Sequence, residues 1–424
     1  MRPTLRYRSP VLTAVLCWVV GIAPARATTT TDGGTRLTLD DALARAEEAS
    51  AVVRRATAEK TTAEARDVGA SAVLPSNPLI AVGLGPRREL QEGAPTQKGV
   101  QYAIHAEQMV EVANQRGARR AEVAGAVEVA RARVTLARAE TRARMRAVYV
   151  GAQLAASQLR SARSRETLAG TLFDSVSTRV QTGAASDVEL ELARLEQGRA
   201  VRDRISAELA VELALAELRL LVALPPETAL ELATPLANPP PPARLTTLIE
   251  QAKERRAELR VLSASQQALD AAVVRLRRDV FPNPTLFLDV QRDLPGQLYV
   301  GGGVALPLPT WRRNQGELAI ARAERARLQE EEAITMREVV ADVARAYRAA
   351  LAQAEAVEVV EHRLLPAAEA QLALITEGWR AGKFDLFRVI SASREASDAH
   401  RSLLEALGAL WEARIAVDRA AGAP

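Results

Sequence analysis

The sequence predicts a mainly α-helical protein with a small β part, built from two copies of one unit. Three observations carry this. Ala, Leu, Glu, Arg and Gln, all good helix formers, dominate most of the 424 residues. Two Pro/Gly-rich regions interrupt the helical pattern, and each reads as a pair of short strands. Several short stretches also recur at an offset of 199 residues.

The first 27 residues stand apart. Arg2, Arg6 and Arg8 precede the apolar run "VLTAVLCWVVGIA" and the small-residue end "APARA", the pattern of a secretory signal cleaved near Ala27. Cys17 follows Leu16, a poor lipobox, so no lipid anchor is expected. Removing these residues takes away four arginines and no acid, leaving 52 basic against 52 acidic residues. A formally neutral chain gives no electrostatic ground for nucleic-acid binding. It then holds no cysteine and three scattered histidines, His105, His362 and His400, so neither disulfides nor a metal centre are expected. No phosphate loop follows a strand and no nucleophile–base set is evident, so no catalysis and no cofactor are expected.

Helices are expected at about 39–73, 109–177, 186–222, 245–280, 309–377 and 386–418. In the fifth, Met336, Val340, Val343, Tyr347, Ala350, Ala354 and Val357 alternate steps of 4 and 3, the 3.5-residue period of coiled-coil packing. Strands are expected at about 77–86, 99–106, 284–292 and 297–306. Alternation puts Ile80, Val82 and Leu84 on one face, likewise Val100, Tyr102 and Ile104, and likewise Leu286, Leu288 and Val290 opposite Phe287, Asp289 and Gln291. "NQRGARRAE" (114–122) matches "NQGELAIARAE" (314–324), aligning Gly117 with Gly316, and Gly183 matches Gly382. The repeats are placed at 28–234 and 245–424, joined by "PLANPPPPAR" (235–244), too proline-rich for helix.

Lengths constrain the shape. Each long helix spans on the order of 100 Å, and two shorter helices end to end match it. Segments 28–38, 223–244 and 419–424 then gather in a belt where the short helices meet. Strands of about nine residues can cross a membrane at a tilt, but four of them cannot close, and lipid does not tolerate open sheet edges. Three copies giving twelve strands are the economical solution, with Leu286, Leu288 and Val290 toward lipid and Asp289 and Gln291 inward. A small soluble β-subdomain is the competing reading of the same strands.

Five stretches, in order, resemble the TolC family of outer-membrane efflux channels: "LTLDDALARAEEAS", "GAASDVELELAR", "LRLLVALPPE", "VALPLPTWRRNQGELAIARAE" and "GWRAGKFDLFRVISASR". The resemblance covers about 37–420 and implies a homotrimer, with a twelve-stranded outer-membrane barrel continuing into a periplasmic helical tunnel. It also implies a passive duct served by a periplasmic adaptor and an inner-membrane pump of the resistance–nodulation–division type. "EQMVEVANQRGARRAEVA" and "PLPTWRRNQGELAIA" look like the branch serving cobalt–zinc–cadmium and copper/silver exporters, so heavy-metal cations are the expected cargo. Organic compounds are the alternative cargo, and a soluble coiled-coil adaptor is the alternative function.

The resemblance places the turns at Gly183 and Gly382 at the periplasmic tip. Arg179, Gly183, Ser186, Gly382 and Asp385 are the candidate adaptor contacts. Asp187, Glu189, Glu191 and Arg388 are the candidate entrance constriction. Ser186 and Glu189 also fit a capping box, and the two roles are compatible. Where relatives often carry carboxylates at the second tip, this chain has Arg388 and Ser391. Arg388 is therefore expected to pair with an acid of a neighbouring first tip.

Overall fold

The computed structural model describes residues 35–89, 97–292 and 297–423, so the expected signal peptide and, at 90–96 and 293–296, parts of the expected strand-joining loops lie outside the described residues. The first repeat runs β1 (Thr35–Leu37), α1 (Leu39–Ala49), α2 (Ala51–Ala70), β2 (Leu79–Glu89), β3 (Gln97–Met109), α3 (Gln115–Gln181), α4 (Asp187–Leu221) and β4 (Leu230–Leu232). The second runs α5 (Leu245–Arg255), α6 (Ala257–Arg278), β5 (Thr285–Arg292), β6 (Leu298–Ala305), α7 (Gln315–Val359), α8 (Leu365–Arg380) and α9 (Leu386–Ala420). No helix among the described residues is long and apolar enough to cross a membrane.

The 67 residues of α3 form one rod of about 100 Å. It packs against α2 and α6 toward the strands and against α4 and α9 toward the other end. The α6 and α9 helices meet end to end, where the Arg256 guanidinium donates to the Arg419 carbonyl (3.2 Å). Along the α3–α4 hairpin, Arg204 bridges Glu166 (2.8 Å) and Glu208 (2.6 Å). These guanidinium bonds, with a second from Arg163, hold the Glu208 carboxyl below its usual range.

Both long helices start alike. Asn114 and Asn314 are left-handed (φ 56° and 55°), and the next side chain, Gln115 or Gln315, accepts from the backbone N–H of Ala113 or Arg313. The Asn–Gln pair thus takes the place of an ordinary N-cap, satisfying one backbone donor near the helix start. The structural equivalence at this junction is therefore Asn114 with Asn314, an offset of 200, and the alignment of Gly117 with Gly316 is corrected by one residue.

Three further departures follow. The expected helices 39–73 and 245–280 are each broken, at Ser50 and Arg256, where ψ swings to 122° and 123°. Ser50 recaps α2 by accepting from Val53 N–H (3.4 Å). The last long helix carries a π turn at Val360–Leu364, in which Leu365 N–H reaches back five residues to the Val360 carbonyl. Pro366, which cannot donate, sits just beyond it and accounts for the widened turn. In the α7 seam Val343, Ala350 and Val357 are buried at seven-residue steps, but Val339 rather than Val340 leads them, and Ala354 is exposed.

A belt surrounds the middle of the rods. β1 pairs in parallel with β4, and Leu37, Ala42 and Ala46 pack on Met145, Tyr149 and Leu218 of α3 and α4. The buried Tyr149 hydroxyl donates to the Leu37 carbonyl (2.8 Å) and accepts from Thr234 N–H (3.3 Å). Residues 235–244 are irregular and are held by their carbonyls: Trp411 Nε1 donates to Ala237 (2.9 Å) and Arg414 to Pro240 (2.7 Å). Tyr149→Phe should cost about 1–3 kcal/mol by orphaning the Thr234 donor. Hydrogen exchange should then quicken around residues 230–240 and stay unchanged at the tip.

The four long strands form one antiparallel sheet in the order β2-β3-β5-β6. Its register sets Val82 opposite Ile104, Ile104 opposite Val290 and Val290 opposite Val300, so the three expected apolar groups share a single face. That face is bare: Val82 is 70% exposed, Leu84 78% and Val300 60%. Observed strand limits lie within three residues of the expected ones, and the end of β5 at Arg292 coincides.

Candidate functional site

At the end remote from the sheet, both hairpins turn in the same way. Gly183 and Gly382 each adopt φ +73°, a left-handed conformation that L side chains disfavour. Gly183 N–H reaches the Val180 carbonyl and Ala184 N–H the Arg179 carbonyl; Gly382 and Lys383 repeat this with Trp379 and Gly378. These bonds close the helix carbonyls as a Schellman-type cap does.

The restarts differ. Ser186 caps α4 through its hydroxyl on Glu189 N–H (3.3 Å), while Glu189 Oε2 accepts from Ser186 N–H (2.9 Å). This is the reciprocal capping box expected from the sequence. Asp385 caps α9 by accepting from Arg388 N–H (3.0 Å). Ser186→Ala should therefore cost about 1 kcal/mol. Faster hydrogen exchange confined to the first turn of α4 is the expected readout.

The residues singled out in sequence are thus brought to one end, but they do different things there. Arg179 lies over the Trp379 ring (5.1 Å) and so ties the first turn to the second. Below it, Val176 and Ala193 of the first hairpin pack with Trp379, Leu386, Val389 and Ile390 of the second. Of the four candidate constriction residues, Glu189 is committed to the cap and Glu191 to Arg194 (2.7 Å). Asp187 is exposed in the first turn of α4. Arg388 lies over Phe384 of its own turn (5.3 Å) and meets none of these acids within the chain.

A fifth charged contact was not foreseen. Glu196, 8% exposed, sits on the buried seam of α4 between Ala193 and Ala200. Arg394 of α9 donates to its Oε2 from Nη2 (2.6 Å) and Nε (3.1 Å), and Arg199 stands 3.6 Å away. This is an ionic clasp between the two hairpins just above the tip. Its signal was available: a carboxylate at 3 and 4 residues from two seam alanines needs a cation to pair with.

Comparison with known proteins gives this geometry a context. The family described as outer membrane efflux protein matches residues 248–423. The cobalt-zinc-cadmium resistance protein CzcC of Cupriavidus metallidurans is 26% identical over 318 residues, covering 74% of this chain and 75% of that one. Among solved structures, the outer-membrane channel OprN superposes with a TM-score of 0.70 at 15% identity, covering 91% of this chain and 90% of that one. CusC, described as undergoing transmembrane channel formation, gives 0.67 at 18% identity, with 92% and 93% covered. VceC from Vibrio cholerae gives 0.68 at 14%, with 91% and 96% covered. The fold is therefore that of the outer-membrane channels, with the duplicated helix-strand-strand-helix-helix unit expected from the sequence.

Proposed function

We propose that this chain, whose second repeat matches the outer membrane efflux protein family and whose fold is that of outer-membrane channels, is the passive exit duct of a tripartite metal-export system. One observation carries the duct. The sheet has a bare apolar face and two unpaired edges, β2 and β6, at the end of a helical body about 100 Å long. An exposed apolar face with open edges is unstable in water, and in lipid only closure satisfies the edges. Pairing β2 of one copy with β6 of the next removes both edges. Three copies give a twelve-stranded barrel whose apolar face meets lipid and whose helices continue the bore into the periplasm.

The cargo reading rests on the metal-resistance relative and on the copper/silver and cobalt–zinc–cadmium likeness of the strand–helix junctions. Energy comes from an inner-membrane pump, and a periplasmic adaptor engages the tip at Arg179, Gly183, Ser186, Gly382 and Asp385. The entrance is ringed by Asp187, Glu189 and Glu191 of each copy. Arg388 pairs with Asp187 of the neighbouring copy, the acid of the three that no local bond engages among the described residues. Arg388→Ala should raise conductance; an unchanged conductance would remove that pairing.

The test of cargo is complementation. A host lacking the chain but keeping its adaptor and pump should lose cobalt, zinc and cadmium tolerance and regain it with the chain. Restored tolerance to organic toxicants alone would transfer the cargo to that class.

A further inference from the structure

The sheet face opposite the apolar one carries a compact polar cluster. His105 on β3 stands directly across from Asp289 on β5, with Nδ1 and Oδ1 2.7 Å apart. Glu107 projects from the same face two residues on, its Oε2 3.3 Å from Nε2 of the same ring. The Phe287 ring stacks on the imidazole with centroids 6.1 Å apart. The outer members of the His105 row are small, Ala81 on β2 and Gly301 on β6. The imidazole and both carboxylates remain 35–38% exposed, open to whatever runs along this face.

The arrangement has the chemistry of a metal ligand with its support. A carboxylate on Nδ1 orients the ring, and Nε2 donates to Glu107 Oε2 across 3.3 Å, so a cation entering between Nε2 and Oε2 takes the place of that proton. In tetrahedral zinc coordination, with metal–N and metal–O near 2.0–2.1 Å, two ligand atoms stand about 3.3 Å apart. Nε2 and Oε2 already hold that separation. We infer that His105 and Glu107, oriented by Asp289, form a transient site for a divalent transition-metal cation passing along the polar face of the sheet, with water completing the coordination. Among the described residues no group of three or more His, Cys, Asp or Glu could hold a metal ion, so the site is a weak two-ligand one. Weak binding is what conduction requires, because a cation must leave as readily as it enters. In a closed trimer, three such sites ring the bore.

The inference rests on the duct-and-cargo reading above, and the test separates the two. Purified pores in planar bilayers are titrated with Zn2+ and, as control, Mg2+. Zn2+ should reduce the current at concentrations where Mg2+ does not. His105→Gln should abolish the effect, Glu107→Gln should do so while keeping the imidazole, and Asp289→Asn should raise the half-blocking concentration about 10–100-fold. His400→Gln, whose ring meets Glu369 on the helical wall, should change nothing. Equal block in wild type and His105→Gln, or no block from pores whose reversal potential shows Zn2+ passing, overturns the site and leaves the metal duct standing. Pores that exclude Zn2+ altogether overturn the cargo reading, and the site with it.

Discussion

Arg394→Ala should loosen the tip and raise the conductance of the proposed duct. Glu196 is nearly fully buried, and two of its bonds come from Arg394. Removing the guanidinium leaves a buried carboxylate facing only Arg199 at 3.6 Å. Only the carboxylate is buried, Arg394 being 43% exposed, so losing its two bonds costs about 1–3 kcal/mol. The strain is relieved if α4 moves away from α9 and lets water reach Glu196. Because the two hairpins are otherwise joined here by the small apolar cluster around Trp379, the tip is the part that yields. Glu196→Gln added to Arg394→Ala removes the stranded charge and should recover much of the loss, giving a coupling energy in a double-mutant cycle. Wild-type conductance in Arg394→Ala would show that the tip is held by other contacts.

Gly125→Leu should abolish assembly. Gly125 lies on α3 where it crosses α6, and a Cβ there would stand 2.7 Å from the Ala268 Cα and 3.1 Å from its Cβ. The obstacle is backbone, which cannot swing aside as a side chain can, so the two rods must separate. Overpacking of this kind typically costs 1–3 kcal/mol even in cores that adjust, and four added carbons exceed that allowance. The displacement is at the level of the wall nearest the sheet, so it also tilts β5 against β3. The expected outcome is loss of heat-resistant trimers from the outer-membrane fraction. Gly198→Ala, where a Cβ meets nothing within 4 Å, is the control and should be neutral or stabilising by about 0.5–1 kcal/mol.

Features set by local chemistry were readable in the chain. The left-handed turns announced themselves through Gly183 and Gly382, the α4 cap through Ser186 and Glu189, and the sheet faces through strict alternation in "TLFLDV". Features that depend on a distant partner were not. Ser50 and Arg256 break their helices without Gly or Pro, because α1 and α5 must fold into the belt against α3 and α7. The three-residue strands β1 and β4 find each other across 195 residues and carry no strand signal of their own. The His105–Asp289 contact depends on the β3–β5 register, which no pattern within either strand specifies. Within its own turn Arg388 lies over the Phe384 ring, a contact that no charge pattern in the sequence signals.

Closure of one membrane-spanning bore by three copies is tested by single-channel recording of the purified chain together with its oligomeric mass. Trimers that need detergent, insert into planar bilayers and give long-lived, cation-preferring conductance are expected. A protein that stays soluble without detergent and makes no pores would contradict it, and would return the four strands to a small soluble β-subdomain.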